Sequence, residues 1–139
     1  VILTPGDFDT GWRTVWMEAR DQGDKGMYAV AWVLRNRLER KANDRWATIG
    51  QVCLDWLQFS GWRENDPNFK QALVVPLDTL GQRCAIALLR AMSDPRSMDP
   101  TGGSCHYYST KVMKTPPAWA VGKTPVACIG DHAFFAGVV

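Results

Sequence analysis

This sequence has almost no charge imbalance: 16 Lys and Arg stand against 14 Asp and Glu, a net charge of +2. That is too little to argue for the strongly basic face with which a protein grips nucleic acid. No apolar run approaches the length of a membrane span, so membrane insertion is not expected. No internal repeat, low-complexity tract or linker divides the chain, and residues 1–139 read as a single domain. The N-terminus, VILTPGDFDT, lacks the basic start and apolar stretch of a signal peptide. There is no C-x-x-C pair to seed a zinc site, and no G-x-S-x-G elbow around Ser60 to make it a nucleophile.

What is present suits a globular domain with a real core: 46% hydrophobic and 22% charged residues over 139 positions. The seven Trp are unusual for this length. Trp fills cores and also lines clefts that take flat apolar faces, such as those of sugar rings; core packing is the expected fate of most of them. Of the four Cys, Cys53 and Cys84 fall in apolar helical patterns and read as buried free thiols. Cys105 and Cys128 leave a disulfide open. Together with His106 and His132 they form the one set to weigh for zinc, although adjacent side chains at Cys105 and His106 diverge in a strand.

The periodicity predicts a mainly α (α+β) domain with a small β element in the C-terminal third. Thr4-Pro5-Gly6 reads as a turn, and a helix capped by Asp9 or Thr10 runs to about residue 20. Trp12, Val15, Trp16 and Ala19 share its buried face. A second helix over about residues 25–40 is apolar on nearly every side and is therefore central. Its Arg35, Arg37 and Arg40 complement the negative end of the helix dipole. Capping-box spacings at Thr48–Gln51 and Thr79–Gln82 predict helices to about residues 57 and 92, with a loop over 58–69 between them. Short strands are expected at 105–109, 126–129 and 133–135.

Glu18 is the residue to examine for chemistry. It lies at the border of the first helix's apolar stripe, where partial burial raises a carboxyl pKa and keeps a proton available. The plain alternative is a solvated Glu paired with Arg13 or Arg20. For a second carboxylate, Asp21, Asp24, Asp66 and Asp131 are open, each equally readable as a turn or surface residue. Gln58, Ser60, Tyr107, Tyr108 and His132 offer hydrogen bonds, and Phe59, Trp62 and Trp119 offer ring faces, with core packing as the alternative for each aromatic.

Several of these stretches together resemble the cell wall hydrolase family of the spore-cortex-lytic type, whose members also occur in phages. The resemblance is carried by Glu18-Ala19-Arg20, Gly26, Ala29-Val30-Ala31, Asn36-Arg37 and Gln58-Phe59-Ser60. It continues through Asp99 to Gly103, Tyr107-Tyr108, Trp119 and Ile129-Gly130-Asp131-His132-Ala133-Phe134-Phe135. One departure is local: the family usually continues with Gly-Glu where this chain has Asp21-Gln22.

The resemblance implies a lysozyme-like fold, peptidoglycan glycan strands as substrate, Glu18 as catalytic acid and no cofactor or metal. With no signal peptide in the sequence, a phage or prophage endolysin is expected, a monomer that waits in the cytoplasm for a separate pore or travels on a virion. Two rivals remain: a zinc-dependent peptidoglycan amidase, and a non-catalytic wall-binding module that uses the tryptophans.

Overall fold

The structure, a computed structural model, describes residues 1–40, 44–55 and 59–138. Helix α1 (Pro5–Ala19) starts earlier than its apolar stripe predicts. Thr4 and Asp7 form a capping box: Thr4 Oγ1 accepts from Asp7 N at 3.1 Å and Asp7 Oδ2 from Thr4 N at 3.0 Å. Pro5 sits where its missing N–H costs nothing, so Thr4-Pro5-Gly6 opens the helix instead of turning before it. Burial pushes the Asp7 carboxyl up, but hydrogen bonds from Thr4 and Gly50 outweigh it and hold Asp7 below the usual carboxylate range.

Helix α2 (Gly23–Glu39) is the central element that its composition predicts. Met27 and the run Ala29–Leu34 have essentially no exposed surface. The helix packs against α1, α3 (Ile49–Leu54) and α5 (Thr79–Ser93). Trp12, Trp16, Trp32 and Trp46 are all buried in this helical core, each large ring worth roughly 1.5–3 kcal/mol or more of burial. Cys53 and Cys84 are buried free thiols, with burial pushing them up to about 12 and about 11.

Helix α3 has the capping box its spacing predicts, Gln51 N donating to Thr48 Oγ1 at 3.1 Å, but it stops at Leu54. The same spacing fails at Thr79–Gln82: α5 is capped from Asp78 without a side-chain bond, and Gln82 Nε2 turns to the Leu77 carbonyl. The expected loop over 58–69 hides a 3-10 turn (Ser60–Trp62) and the start of α4 (Pro67–Val74). Asp66 caps α4 by accepting from Asn68 N at 2.8 Å, and Pro67 occupies the first turn.

Strands β1 (His106–Ser109), β2 (Ala127–Ile129) and β3 (His132–Phe135) form one antiparallel sheet with β3 in the middle. The register pairs Tyr107 with Phe134 and Ile129 with His132. Alternation sends Phe134 into the helical core, while Ala133 and Phe135 form a small second cluster with Tyr108, Trp119 and Ala120. Among the described residues, no single helix is long and apolar enough to cross a membrane.

Candidate active site

Glu18 lies in the last turn of α1, half-buried, where that helix meets the sheet. Tyr107, pointing from β1 to the same face as His132 and Phe134, donates its hydroxyl to Glu18 Oε1. Neither basic neighbour in sequence pairs with it. Arg13 bonds Asp9 and the Ala72 and Val75 carbonyls. Arg20 lies 4.2 Å over the Trp16 ring and donates to Asn68. Burial therefore dominates, pushing the Glu18 carboxyl above its ordinary range against the opposing Tyr107 hydrogen bond and the positive field of Arg37. Such a group holds a proton where a solvated Glu has lost it.

Arg37 is the second buried charge here. It is only 8% exposed. Its Nε donates to the Cys105 carbonyl at 2.8 Å, and its guanidinium lies 4.9 Å over the Phe59 ring. One terminal nitrogen has no protein partner among the described residues. The sequence suggested a helix-dipole role for Arg37; its place beneath the site depends on the chain at Cys105 folding back onto α2, which no local pattern announces.

A cleft of about 680 Å³ opens beside Glu18. The end of α1 and the corner after it supply Met17, Glu18, Asp21 and Gln22; Ser60 and Asn68 form another side. Tyr107, Tyr108 and Ser109 of β1, the loop over 111–113, and Asp131-His132 complete the wall. Of the residues singled out in the sequence, Glu18, Ser60, Tyr107, Tyr108 and His132 thus come together. Phe59 does not: it is 2% exposed, under Arg37. Trp62 donates its indole N–H to Thr14 at 2.8 Å and lines a neighbouring hollow with Arg63, Glu64 and Asn65. Trp119 packs on His106, Tyr108 and Phe135. Gln58 lies outside the described residues.

His132 is buried, its ring 4.9 Å from that of Tyr107, and burial holds its pKa below the usual value. The possible zinc set does not converge. His132 faces Tyr107 on one side of the sheet and His106 faces Trp119 on the other, and no cluster of three or more such ligands occurs among the described residues. Cys105 and Cys128 are free thiols; they belong to opposite flanks of the sheet, with β3 between them.

Among the four Asp candidates, Asp24 pairs with Arg83 at 2.8 Å on the outside of the domain. Asp66 is spent on capping α4. Asp131 is bonded through both its backbone N–H and its carboxylate to Gln22, at 2.7 and 3.0 Å. Asp21, exposed at the cleft edge, accepts from Gln22 and is held below the ordinary range chiefly by that bond.

The model of the cell wall hydrolase family matches residues 21–135, so Glu18 lies just ahead of the matched segment. No curated protein matches the chain. Two solved structures share its fold. The catalytic domain of the germination-specific lytic transglycosylase SleB from Bacillus anthracis superposes with a TM-score of 0.73 at 22% identity, covering 95% of each chain. The catalytic domain of the Bacillus cereus SleB protein gives 0.75 at 20% identity, covering 96% of this chain and 91% of that one. The lysozyme-like architecture expected from the sequence is the one these domains have.

Proposed function

This chain belongs to the cell wall hydrolase family, and from that premise we propose that it cleaves the peptidoglycan glycan strand between N-acetylmuramic acid and N-acetylglucosamine, with Glu18 as general acid and base. The observation that carries this reading is the Glu18 carboxyl itself, half-buried at a cleft, raised in pKa by burial and gripped on one oxygen by Tyr107. The remaining oxygen carries the proton to the departing glycosidic oxygen.

In a lone-acid scheme, the ionised Glu18 takes the proton of the sugar's own 6-hydroxyl. The C1 bond to the leaving oxygen breaks, a C1–O6 bond forms, and Glu18 regains its proton. Asp24 is held by Arg83, Asp66 by the cap of α4 and Asp131 by Gln22, and the structural likeness to a protein described as a lytic transglycosylase supports the same outcome. Digestion is expected to give 1,6-anhydromuramic ends, one water lighter than hydrolysed ends and without a reducing group, read by mass spectrometry. Reducing muramic ends as the main product would refute the lone-acid scheme and turn attention to Asp21, the exposed carboxylate at the cleft edge.

The divergence of the two histidines disfavours the zinc amidase. Prolonged chelation is expected to leave lytic activity and melting temperature unchanged; activity lost to chelator and restored by zinc would overturn the glycosidase reading. The phage or prophage setting is part of the proposal through the resemblance alone; loss of turbidity of permeabilised cells on adding the protein separates the enzyme from a non-catalytic wall-binding module.

A further inference from the structure

We propose that Gln22 is a positioning residue for Glu18: its amide locks the Gly130-Asp131 turn to the corner after α1, and so fixes the His132–Tyr107 pair on which the acid is seated. The inference rests on the reading of Glu18 as the acid.

The geometry uses both ends of the amide. Gln22 Oε1 accepts from Asp131 N at 2.7 Å, while Nε2 donates to Asp131 Oδ2 and to Asp21 Oδ1, each at 3.0 Å. The same turn is gripped from its other side, where the Asp131 carbonyl accepts from Thr110 N at 2.8 Å and Thr110 Oγ1 at 3.0 Å. Gly130 makes room: at φ +58 it holds a left-handed conformation, and a Cβ there would collide with Gln22 Oε1. The residue after Asp131 is His132, buried, with its ring 4.9 Å from Tyr107, which donates to Glu18. The path from Gln22 to the acid is therefore a short series of direct contacts.

With Asp131 opposite, an amide meets both demands of this position. A Glu at 22 accepts from Asp131 N but sets a third carboxylate against Asp21 and Asp131; a Lys donates but cannot accept. The Asp21-Gln22 departure from the family's usual Gly-Glu thus has a partner across the cleft, Asp131, whose carboxylate needs the donor half of the amide. Reversing both members, with Glu at 22 and Asn at 131, restores the donor–acceptor match, and the exposed Asp21 is free to turn into solvent.

The test compares Gln22→Ala, Gln22→Glu and the double variant Gln22→Glu/Asp131→Asn, with soluble glycan strands prepared from peptidoglycan as substrate. Gln22→Glu is expected to lower kcat roughly 10- to 100-fold with KM changed less than about threefold, the signature of a misplaced catalytic group. The loss should ease as pH falls and the carboxylate cluster takes up a proton, and the double variant should regain most of it. Single variants that keep kcat within about twofold of wild type, or a double variant as slow as Gln22→Glu, overturn the proposal.

A second readout needs no turnover: the titration of the Glu18 carboxyl followed by carbon-13 NMR. Its midpoint should move in Gln22→Glu and return in the double variant. A midpoint indifferent to residue 22 overturns the positioning role even if the chain proves not to cut glycan. A wild-type chain that releases no glycan fragments retires the functional reading alone.

Discussion

Glu18→Gln should lower glycan cleavage by at least about 100-fold while leaving the fold intact and, above mildly acidic pH, more stable. The kinetic half follows from the chemistry: an amide accepts the Tyr107 hydrogen bond as a carboxyl oxygen does, but cannot give up and regain a proton, and loss of general acid–base catalysis costs about 10²–10⁴-fold. The stability half follows from linkage. The folded-state pKa of Glu18 is raised above that of an ordinary glutamate, burial being the main cause. Well below the ordinary glutamate value both folded and unfolded chains hold the proton and ionisation costs nothing. As pH rises from there through the folded-state value, the unfolded chain ionises first and the native state loses stability.

Gln is neutral throughout and escapes that loss. The melting temperature of Glu18→Gln minus that of wild type should therefore grow with pH and level off once the folded Glu18 has ionised. A folded Glu18→Gln variant that still lyses walls at near the wild-type rate would remove Glu18 from the chemistry. A melting difference flat in pH would mean that the carboxyl is not held in a desolvating site.

The elements that were legible in the sequence are those whose signal is local and redundant. Helix α2 is apolar on nearly every side over residues 26–34, and a central place in the core is the way to satisfy that. The Thr48–Gln51 capping box forms as its spacing predicts, and the Gln51 side chain accepts from Ala47 N as well. Thr79–Gln82 carries the same spacing, yet Asp78 takes the capping position, so spacing alone licenses a box without selecting it. The starts of α1 and α4 were missed for one shared reason. Thr4-Pro5 and Asp66-Pro67 look like turns, whereas a capping side chain followed by Pro is equally the beginning of a helix.

The site divides in the same way. The stripe of Trp12, Val15, Trp16 and Ala19 already sets Glu18 at a border between core and water, which is where it lies. For Phe59, Trp62 and Trp119 the residue type was uninformative, because a ring that stacks on a sugar and a ring that fills a core satisfy the same hydrophobic demand. Gln22 and Asp131 stand 109 residues apart. Their contact exists only because the sheet folds back on the end of α1, and neither residue carries a pattern that says so. Arg37 is similar: Arg near a helix C-terminus has an adequate local explanation, and the 2.8 Å bond to the Cys105 carbonyl that overrides it is purely tertiary.

Asn36→Leu should be among the most destabilising single substitutions, although it exchanges a polar side chain in a buried position for an apolar one of similar size. Asn36 has no exposed surface. Its Nδ2 donates to Asp99 Oδ2 at 2.9 Å and to the Ser104 carbonyl at 3.0 Å, and its Oδ1 accepts from Arg96 at 2.8 Å. These bonds clamp the turn over residues 99–104 onto α2. Asp99 tightens the same turn by accepting from Thr101 N and Gly103 N, both at 2.8 Å. Leu supplies none of these partners, and it leaves the Ser104 carbonyl, in a fully buried residue, without its donor.

Each buried group so orphaned costs about 1–3 kcal/mol, so a total loss of about 3 kcal/mol or more is expected, a fall in melting temperature on the order of 10 °C for a chain of this size. Asn36→Asp should do no better, because it keeps the acceptor for Arg96 but sets a second carboxylate against Asp99. The damage should also reach the site. Ser104 is followed by Cys105, whose carbonyl Arg37 holds, and then by β1 with Tyr107, so a slack turn loosens the hydroxyl that grips Glu18. Thermal melts of both variants beside wild type measure the first effect. A melting temperature for Asn36→Leu within about 2 °C of wild type would mean that the turn is held by Asp99 alone.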